Sequence, residues 1–383
     1  MKLRMLLLLP CVWLAACASA PVVPVPPNLF ADEKFAPPSE RIDAAEVFAL
    51  SDEMRKFLRD DMAGKLRSHG STQALAEAMY RKSGLKLEYD SAITRNAAQA
   101  FEARAGNCLS LVIMTAAFAK ELGLRITYQS ALTEETWTRS ENLYLLSSHV
   151  NIALEKSLSS LGWDRNSTGV VIDFLPQFEI RGLRTQPIGE HTVTAMFMNN
   201  RAAEALVRGQ VDDAYWWARA AIGSDPRFAG ALNTLGVIYK QKNELAQAER
   251  VFNHILAQQP GNMLAMGNLA SALRIAGRTG EADALAARLA KLEPYPPFYF
   301  FNLGRIAMDA GDYKAARDLF AKEVRRADYN HEFHFWLAVA HFKLGEVDKA
   351  SKHLALAKDS SNTRSDRDLY AAKLAWMRSR SLQ

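Results

Sequence analysis

The sequence predicts an α+β domain followed by an all-α solenoid of repeated helix pairs, both behind a short export segment. Helix-like spacing of apolar residues gives way after Gly123 to short runs containing β-branched residues, which indicates a change from helices to strands. A period of about 34 residues then fills the rest of the chain. The length of 383 residues also exceeds what one hydrophobic core usually supports.

Residues 1–17 have the pattern of a bacterial export signal. Two basic residues precede an apolar run that is shorter than the roughly 20 residues a membrane-spanning helix needs. The run ends in Leu14-Ala-Ala-Cys17, which resembles a lipobox, where a cysteine thiol is acylated and becomes the mature N-terminus. The resemblance implies a lipid anchor at Cys17 in the cell envelope, at the outer membrane facing the periplasm. The alternative is ordinary cleavage near Ala20.

Residues 18–40 are rich in proline and small residues, a composition that favours an extended linker. Cys11 would leave with the signal and Cys17 would carry lipid. Cys108 is then the one thiol left in the folded part, so no internal disulfide is expected, although an exported protein can form one.

Residues 41–190 are expected to form the α+β domain. Helical spacing covers residues 42–121 and ends in a segment, 108–122, that is apolar on most sides, as in a buried helix. Runs at 125–132, 150–154 and 169–175 indicate antiparallel strands. Helices first and strands second favour the α+β class.

Small residues and prolines recur at a fixed period in the remainder of the chain. The period predicts five helix pairs over 195–364 and a polar capping helix over 365–383. Small side chains are needed where paired helices cross closely, and proline ends the second helix of a pair. The repeated positions are Ala214, Ala248, Ala282, Ala316 and Ala350; Ala202, Gly236, Ala270, Gly304 and Ala338; and Pro226, Pro260 and Pro294. The pattern resembles the tetratricopeptide repeat (TPR).

Cys108 is a candidate nucleophile. Gly106 and Asn107 precede the apolar helix, which places Cys108 in its first turn, where unpaired N–H groups and the helix dipole favour a thiolate. The same N–H groups are suited to hold an oxyanion. The alternative is a small buried apolar residue, which is the usual state of a free cysteine.

A nucleophilic thiol needs a base, and the base needs a group that orients it. His149 opens the alternating run at 150–154, and Asp173 lies in an apolar run where a carboxylate requires a partner. An imidazole on the neighbouring strand would be such a partner. His191 is the other histidine that follows Cys108 in this domain, and Asp164 is the reserve carboxylate. A strand-end cap or an arginine partner is the structural alternative for Asp173.

Three short blocks carry a resemblance to the transglutaminase-like superfamily, whose domain has a papain-like fold. They are Arg104-Ala-Gly-Asn-Cys108, Ser148-His149-Val150 and Ile172-Asp173-Phe174, within residues 85–180. The resemblance implies Cys108 as nucleophile, His149 as general base and Asp173 as the orienting group, acting on amide acyl groups without a cofactor. A polar insertion, residues 133–142, departs from the family pattern.

Together these features predict an envelope-anchored cysteine hydrolase whose repeats recruit a protein or peptide. In TPR geometry the groove would be polar and basic with aromatic patches, which suits an extended or acidic peptide. Its residues would be Asn199, Asn233, Lys240, Arg274 and Arg305, with Phe298, Phe301 and Phe335. The alternative is a non-enzymatic scaffold lipoprotein in an envelope complex.

Other ligands are not indicated. The net charge of +5 is small and dispersed, which argues against nucleic acid. No glycine-rich phosphate loop occurs. The histidines His331, His334 and His341 of the last repeat share a helix with aromatic residues and are interpreted as packing residues, so no metal site is expected.

Overall fold

The computed structural model describes residues 25–80, 84–131, 136–140, 143–147, 149–155, 170–174 and 184–381. The predicted export signal with Cys17 lies outside these residues, and so does Asp164. Within the described part of the chain, no helix is both long and apolar enough to cross a membrane.

The first folded unit begins with helices. They are α1 (Asp52–Asp60), α2 (Ala63–His69), α3 (Ser71–Tyr80), α4 (Ala97–Ala103) and α5 (Cys108–Glu121). A two-residue strand β1 (Glu88–Tyr89) pairs in parallel with β2 (Ala105–Gly106), directly before α5. Helix α5 is buried on nearly all sides, as its sequence predicts.

A four-stranded antiparallel sheet follows the helices. Its strands are β3 (Ile126–Ala131), β6 (Val150–Leu154), β7 (Val170–Ile172) and β8 (Thr185–Ile188), in the order β7-β6-β3-β8. A hairpin, β4 (Thr136–Ser140) and β5 (Leu143–Ser147), lies between β3 and β6 in the chain. Strands β3, β6 and β7 lie where the sequence predicts strands. Strand β8 was not predicted, because its Pro187 is unusual in a strand and is tolerated here at the sheet edge.

The remainder is a solenoid of five helix pairs and a final helix. The pairs are α6 (Glu190–Val207) with α7 (Val211–Ser224), α8 (Ala229–Gln241) with α9 (Leu245–Gln258), α10 (Met263–Ile275) with α11 (Thr279–Leu292), α12 (Tyr299–Asp309) with α13 (Tyr313–Arg326), and α14 (His331–Lys343) with α15 (Val347–Asp359). The final helix is α16 (Arg364–Ser381). The period predicts that the five pairs start near Ala195, Ala229, Met263, Pro297 and His331. The second, third and fifth pairs begin at those residues, whereas the first begins earlier, at Glu190, and the fourth two residues later, at Tyr299.

The turn inside each pair takes the left-handed conformation at one repeated position. A side chain with a Cβ is strained there, so glycine is favoured, and asparagine is among the residues that tolerate it best. The positions are Gly209, Asn243, Gly277, Gly311 and Gly345, which keep the same period as the small residues. Each turn is therefore specified locally by its own sequence.

The close helix crossings also fall at the predicted small residues. Ala248 and Ala316 have no exposed surface, and their repeat equivalents are equally buried. A Cβ added at Gly236 would lie 2.4 Å from the ring of Phe252, and one added at Gly304 would lie 2.6 Å from the ring of Phe320. These glycines are required because a neighbouring aromatic ring occupies the space of a side chain.

Gly236→Ala is expected to destabilise the solenoid, because the fully buried Phe252 ring has to shift. Overpacking of this kind costs about 1–3 kcal/mol. The matched control is Gly267→Ala, in the equivalent helix of the next repeat. Its added Cβ would meet Leu289 at an ordinary 3.6 Å, and it should be neutral or stabilising. Denaturant unfolding of the two variants gives the comparison, and equal midpoints would contradict the crossing argument.

Residues 25–40 differ from the predicted extended linker, because they pack against the first repeats. Leu29 and Phe35 are buried, and the Phe35 ring stacks on Tyr215 with ring centroids 3.9 Å apart. Tyr239 donates a hydrogen bond of 2.8 Å to the carbonyl of Leu29. The apolar residues between the prolines supply contact area that a free spacer would lack.

Candidate functional site

Cys108 begins helix α5 and is partly exposed. Asn107 is the N-cap, and its Oδ1 accepts hydrogen bonds from the backbone N–H of Ser110 at 2.9 Å and from its hydroxyl at 2.8 Å. The N–H groups of Cys108 and Leu109 have no intrahelical acceptor, because they lie in the first turn. The positive end of the helix dipole therefore acts on the sulfur.

Gly106 is required by the close approach of the chain to α5. A Cβ at this residue would lie 2.7 Å from the Cβ of Ser110. Arg104, two residues earlier, has a left-handed φ of 52°, and its guanidinium lies over the Phe101 ring at 4.0 Å. In the segment from Arg104 to Cys108, the arginine is therefore explained by its contact with Phe101 and the glycine by its close approach to Ser110.

Tyr89 is the first residue that the sequence reasoning missed. It lies opposite Gly106 in the β1–β2 pair, and its hydroxyl oxygen accepts a hydrogen bond from the Cys108 thiol at 3.8 Å. A two-residue parallel strand leaves little signal in a sequence, so this contact was not foreseeable.

His149 and Asp173 meet at the ends of neighbouring strands. Nε2 of His149 is 2.8 Å from Oδ2 of Asp173, and both side chains are buried, with 7% and 3% of their surface exposed. Strands β6 and β7 pair with Ile152 opposite Ile172. Continuing that register places Asp173 beside the strand that His149 precedes. The predicted pairing of these two side chains is present in the structure.

The hydrogen bond to Asp173 stabilises the charged form of the ring. Burial by itself would lower the pKa of His149. The hydrogen bond to Asp173 and the hydrogen bonding and charge of Cys108 outweigh burial and raise the pKa to about 9. The imidazolium therefore persists well above neutral pH, and Cys108 is close enough to contribute to this shift.

The second ring nitrogen of His149 is available for proton transfer. With Nε2 engaged by Asp173, Nδ1 is buried and makes no hydrogen bond of regular geometry with the described residues. Hydrogen bonds between a base and a nucleophile are commonly long or poorly aligned before substrate binds. The arrangement can hold a thiolate beside an imidazolium whose far side is fixed by a carboxylate.

Two further residues support Asp173 and were also missed. Asn151 donates a hydrogen bond of 3.0 Å to Oδ2 of Asp173. Tyr80, at the end of α3, donates to the Asp173 carbonyl at 2.8 Å, and its oxygen accepts from the Asp173 backbone N–H. Asn151 had a usable signal, because it shares a strand face with His149.

The other candidate base is engaged elsewhere. Nε2 of His191 lies 3.8 Å from Oδ2 of Asp225, and the His191 side chain is half exposed at the start of α6.

The predicted groove residues mostly contact neighbouring helices. Asn233 accepts a hydrogen bond of 3.0 Å from Asn268, and Lys240 donates to Ser271 at 3.4 Å, so both join successive repeats. Burial lowers the pKa of Lys240. Arg274 pairs with Asp283 at 2.8 Å. These contacts join neighbouring helices of the solenoid and reduce the polar surface that is open to a ligand.

The other residues predicted for the groove are also engaged within the solenoid or buried in it. The Arg305 guanidinium lies over the Trp336 ring at 3.8 Å. Asn199 keeps a buried Oδ1 without a hydrogen-bond partner among the described residues. Phe298 and Phe301 were expected in the groove, but they are fully buried and form part of the core of the fourth repeat. That expectation was wrong because both rings pack on Phe333 of the next repeat.

The histidines of the last repeat make packing and polar contacts. The rings of His334 and His353 stack with centroids 5.3 Å apart, and His341 pairs with Glu346 at 2.6 Å. Burial, together with the neighbouring His334 and His341, lowers the pKa of His353 to about 4. Within the described ranges, no group of three or more His, Cys, Asp or Glu side chains is arranged to hold a metal ion.

Comparison with known proteins identifies the repeats. Residues 233–297 and 301–364 match the tetratricopeptide repeat family, which confirms the prediction for this region. The C-terminal part of the chain is therefore a TPR solenoid, a fold whose extended surface binds protein or peptide partners. The comparison with curated proteins gives no match.

Solved TPR structures are similar to the chain over slightly less than half its length. TTC0263, a thermophilic TPR protein of Thermus thermophilus, is 17% identical, covers 47% of this chain and 99% of its own, and has a TM-score of 0.30. PilF of Pseudomonas aeruginosa is 22% identical, with 47% and 82% covered and a TM-score of 0.29. YrrB, described as a TPR protein with an unusual peptide-binding site, is 20% identical, with 47% and 92% covered and a TM-score of 0.25.

Proposed function

We propose that the chain is a cysteine hydrolase of the transglutaminase-like superfamily in which Cys108, His149 and Asp173 act as a triad. The observation that carries the proposal is the position of His149. Its Nε2 is fixed by a buried carboxylate at 2.8 Å, and Cys108, at the start of a buried helix, contributes to its raised pKa. A buried ion pair beside a partly exposed thiol is typical of a reactive site.

The geometry supports the following reaction. The Cys108 thiolate attacks an amide carbonyl, and the oxyanion is stabilised by the first-turn N–H groups of α5. The His149 imidazolium gives its proton to the leaving amine as the C–N bond breaks, which leaves a thioester on Cys108. Neutral His149 then takes a proton from water as the water attacks the thioester. The products are a free acid and the regenerated ion pair; an amine in place of water gives acyl transfer.

The repeats would recruit the protein that carries the scissile amide. The α+β unit and the repeats belong to one chain, so a partner bound to the repeats would be held at high effective concentration near the thiol.

Lipid attachment at Cys17 would place the chain at the outer membrane, facing the periplasm. Its support is the Leu14-Ala-Ala-Cys17 motif. Incorporation of a fatty-acid analogue that persists in Cys17→Ser would refute the anchor.

The triad is tested by reaction with iodoacetamide at pH 6 and with 4-nitrophenyl acetate. We expect rapid alkylation of Cys108 at pH 6, where an ordinary thiol is almost entirely protonated, and an acetyl thioester detectable by mass spectrometry. Cys108→Ala should abolish both products, and His149→Ala should suppress the thioester. His191→Ala is the matched control and should behave like the wild type. Labelling that survives the changes at Cys108 and His149 would eliminate the triad.

A non-enzymatic scaffold is the second candidate, and the comparisons favour it over the hydrolase. The specific observation is that the family match covers the repeats alone, residues 233–297 and 301–364. In that case a partner would be retained equally by the wild type and by Cys108→Ala, and no acyl-enzyme would form.

A further inference from the structure

The solenoid is divided between its third and fourth helix pairs. One apolar core runs from the N-terminal segment through the α+β unit and ends at Ala282 in α11. A second core begins at Phe298 and lies within α12, α13 and α14, and a third packs α14 and α15 on α16. Residues 298–381, here called the C-terminal lobe, therefore have cores of their own among the described residues.

The junction between α11 and α12 buries little apolar surface. Ala282 is the one buried residue of α11. The equivalent helix of the preceding repeat, α9, has four buried residues. On the α11 side of the junction Leu292 is 51% exposed, and on the α12 side Ile306 is 65% exposed. Because burial of apolar surface is the main force between repeats, this junction opens at lower cost than the well-packed ones.

The far end of the lobe returns to the α+β unit beside the thiol. The carbonyl of Asn362, between α15 and α16, accepts hydrogen bonds from the backbone N–H of Ser91 at 3.0 Å and from the Ser91 hydroxyl at 3.1 Å. Ser91 is two residues from Tyr89, whose hydroxyl contacts the Cys108 thiol. The backbone N–H of Asp90, the residue before Ser91, donates a hydrogen bond of 3.0 Å to the carbonyl of Gly106, so the contact lies on the segment that pairs with the chain directly before Cys108.

We propose that the C-terminal lobe is a gate over Cys108, hinged at the α11–α12 junction and held closed by the contact between Ser91 and Asn362. The proposal rests on the proposed function for its meaning in catalysis. Two neutral hydrogen bonds form a weak latch that opens without unfolding either unit.

The gate is tested by the size of reagent that reaches Cys108. The full chain carrying Cys11→Ser and Cys17→Ser has Cys108 as its sole thiol. N-ethylmaleimide reports the reactivity of the thiol, and a maleimide with a long polyethylene glycol chain reports access for a bulky group. The measured quantity is the ratio of the bulky to the small reagent's rate.

Ser91→Ala removes one latch donor and Ser91→Pro removes both. We expect the ratio to rise about threefold to tenfold for each hydrogen bond lost, since the open form becomes more populated. If proline disturbs the site, the N-ethylmaleimide rate changes as well. The result for Ser91→Ala alone then decides. A ratio that is the same in wild type and Ser91→Ala overturns the gate.

The failure of the gate and the failure of the proposed function are distinguishable. Maleimide labelling measures access and needs no catalysis. A rising ratio without acyl-enzyme formation keeps the gate and removes the hydrolase. An unchanged ratio with normal acylation removes the gate and keeps the hydrolase.

Discussion

Asp173→Asn is expected to slow acylation of Cys108 by about 10⁴-fold, the loss that follows when the orienting carboxylate of a triad becomes an amide. Oδ2 of Asp173 accepts hydrogen bonds from Nε2 of His149 at 2.8 Å and from the side-chain amide of Asn151 at 3.0 Å. An amide NH₂ at this position would instead donate to Nε2. The ring proton would then sit on Nδ1, where it faces the thiol and prevents His149 from accepting the thiol's proton.

The same substitution should change the pH dependence of acylation. The pKa of His149 is raised to about 9, so the imidazolium is present below that pH and is lost above it. Wild-type acylation of an amide should therefore decline as the pH rises through about 9. Without the Asp173 carboxylate the pKa falls, and the alkaline decline should move to lower pH.

Asp225→Asn is the matched control, because Asp225 is also a buried carboxylate with a hydrogen-bonded partner. It accepts a hydrogen bond of 2.7 Å from Thr192 and lies outside the proposed triad. We expect its acylation rate and alkaline decline to equal those of the wild type. A normal rate and an unshifted decline in Asp173→Asn would show that the carboxylate has no part in orienting His149.

The elements with local sequence signals were the predictable ones. The TPR units carry their turn and crossing residues at one fixed period, so their limits follow from short-range rules. Helix α5 begins at Cys108 because Asn107 is a capping residue, and the sequence alone indicates this. The pairing of His149 with Asp173 was predictable for a different reason, since a carboxylate among apolar strand residues requires a partner.

The contacts between distant segments were not predictable. The contact of Ser91 with Asn362 joins residues 271 positions apart, and neither residue stands out in the sequence. Strand β8 carries a proline, and its strand character comes from pairing with β3. The N-terminal segment looked like a spacer because its prolines dominate the composition, whereas its fold depends on Tyr215 and Tyr239 of the repeats.

Phe35→Ala is expected to release that segment from the solenoid. The Phe35 ring is 7% exposed, stacks on Tyr215 and lies 5.8 Å from the Tyr239 ring. Replacing a buried phenylalanine by alanine costs about 3–5 kcal/mol, and segments near a chain terminus open at the low end of the free energies of local unfolding. The measurable result is rapid tryptic cleavage at Lys34, which wild-type packing and the ion pair with Glu244 should protect.

Release of the segment would also alter the reach of an anchored chain. If Cys17 carries lipid, seven residues separate it from Val25, where the described chain begins, and they span at most about 25 Å. Undocking residues 25–40 would extend this reach to about 80 Å. With lipid on Cys17, docking would therefore keep the first repeats close to the membrane.

Phe30→Ala separates docking from a general effect of losing an aromatic ring. Phe30 lies in the same segment but is half-buried, and its polar contact is Arg219, 5.3 Å from the ring. The expected loss is below about 1.5 kcal/mol, so cleavage at Lys34 should stay slow. Equal protection in both variants would mean that the stack on Tyr215 does not hold the segment. Equal cleavage would mean that the segment opens as a whole when any of its apolar contacts is weakened.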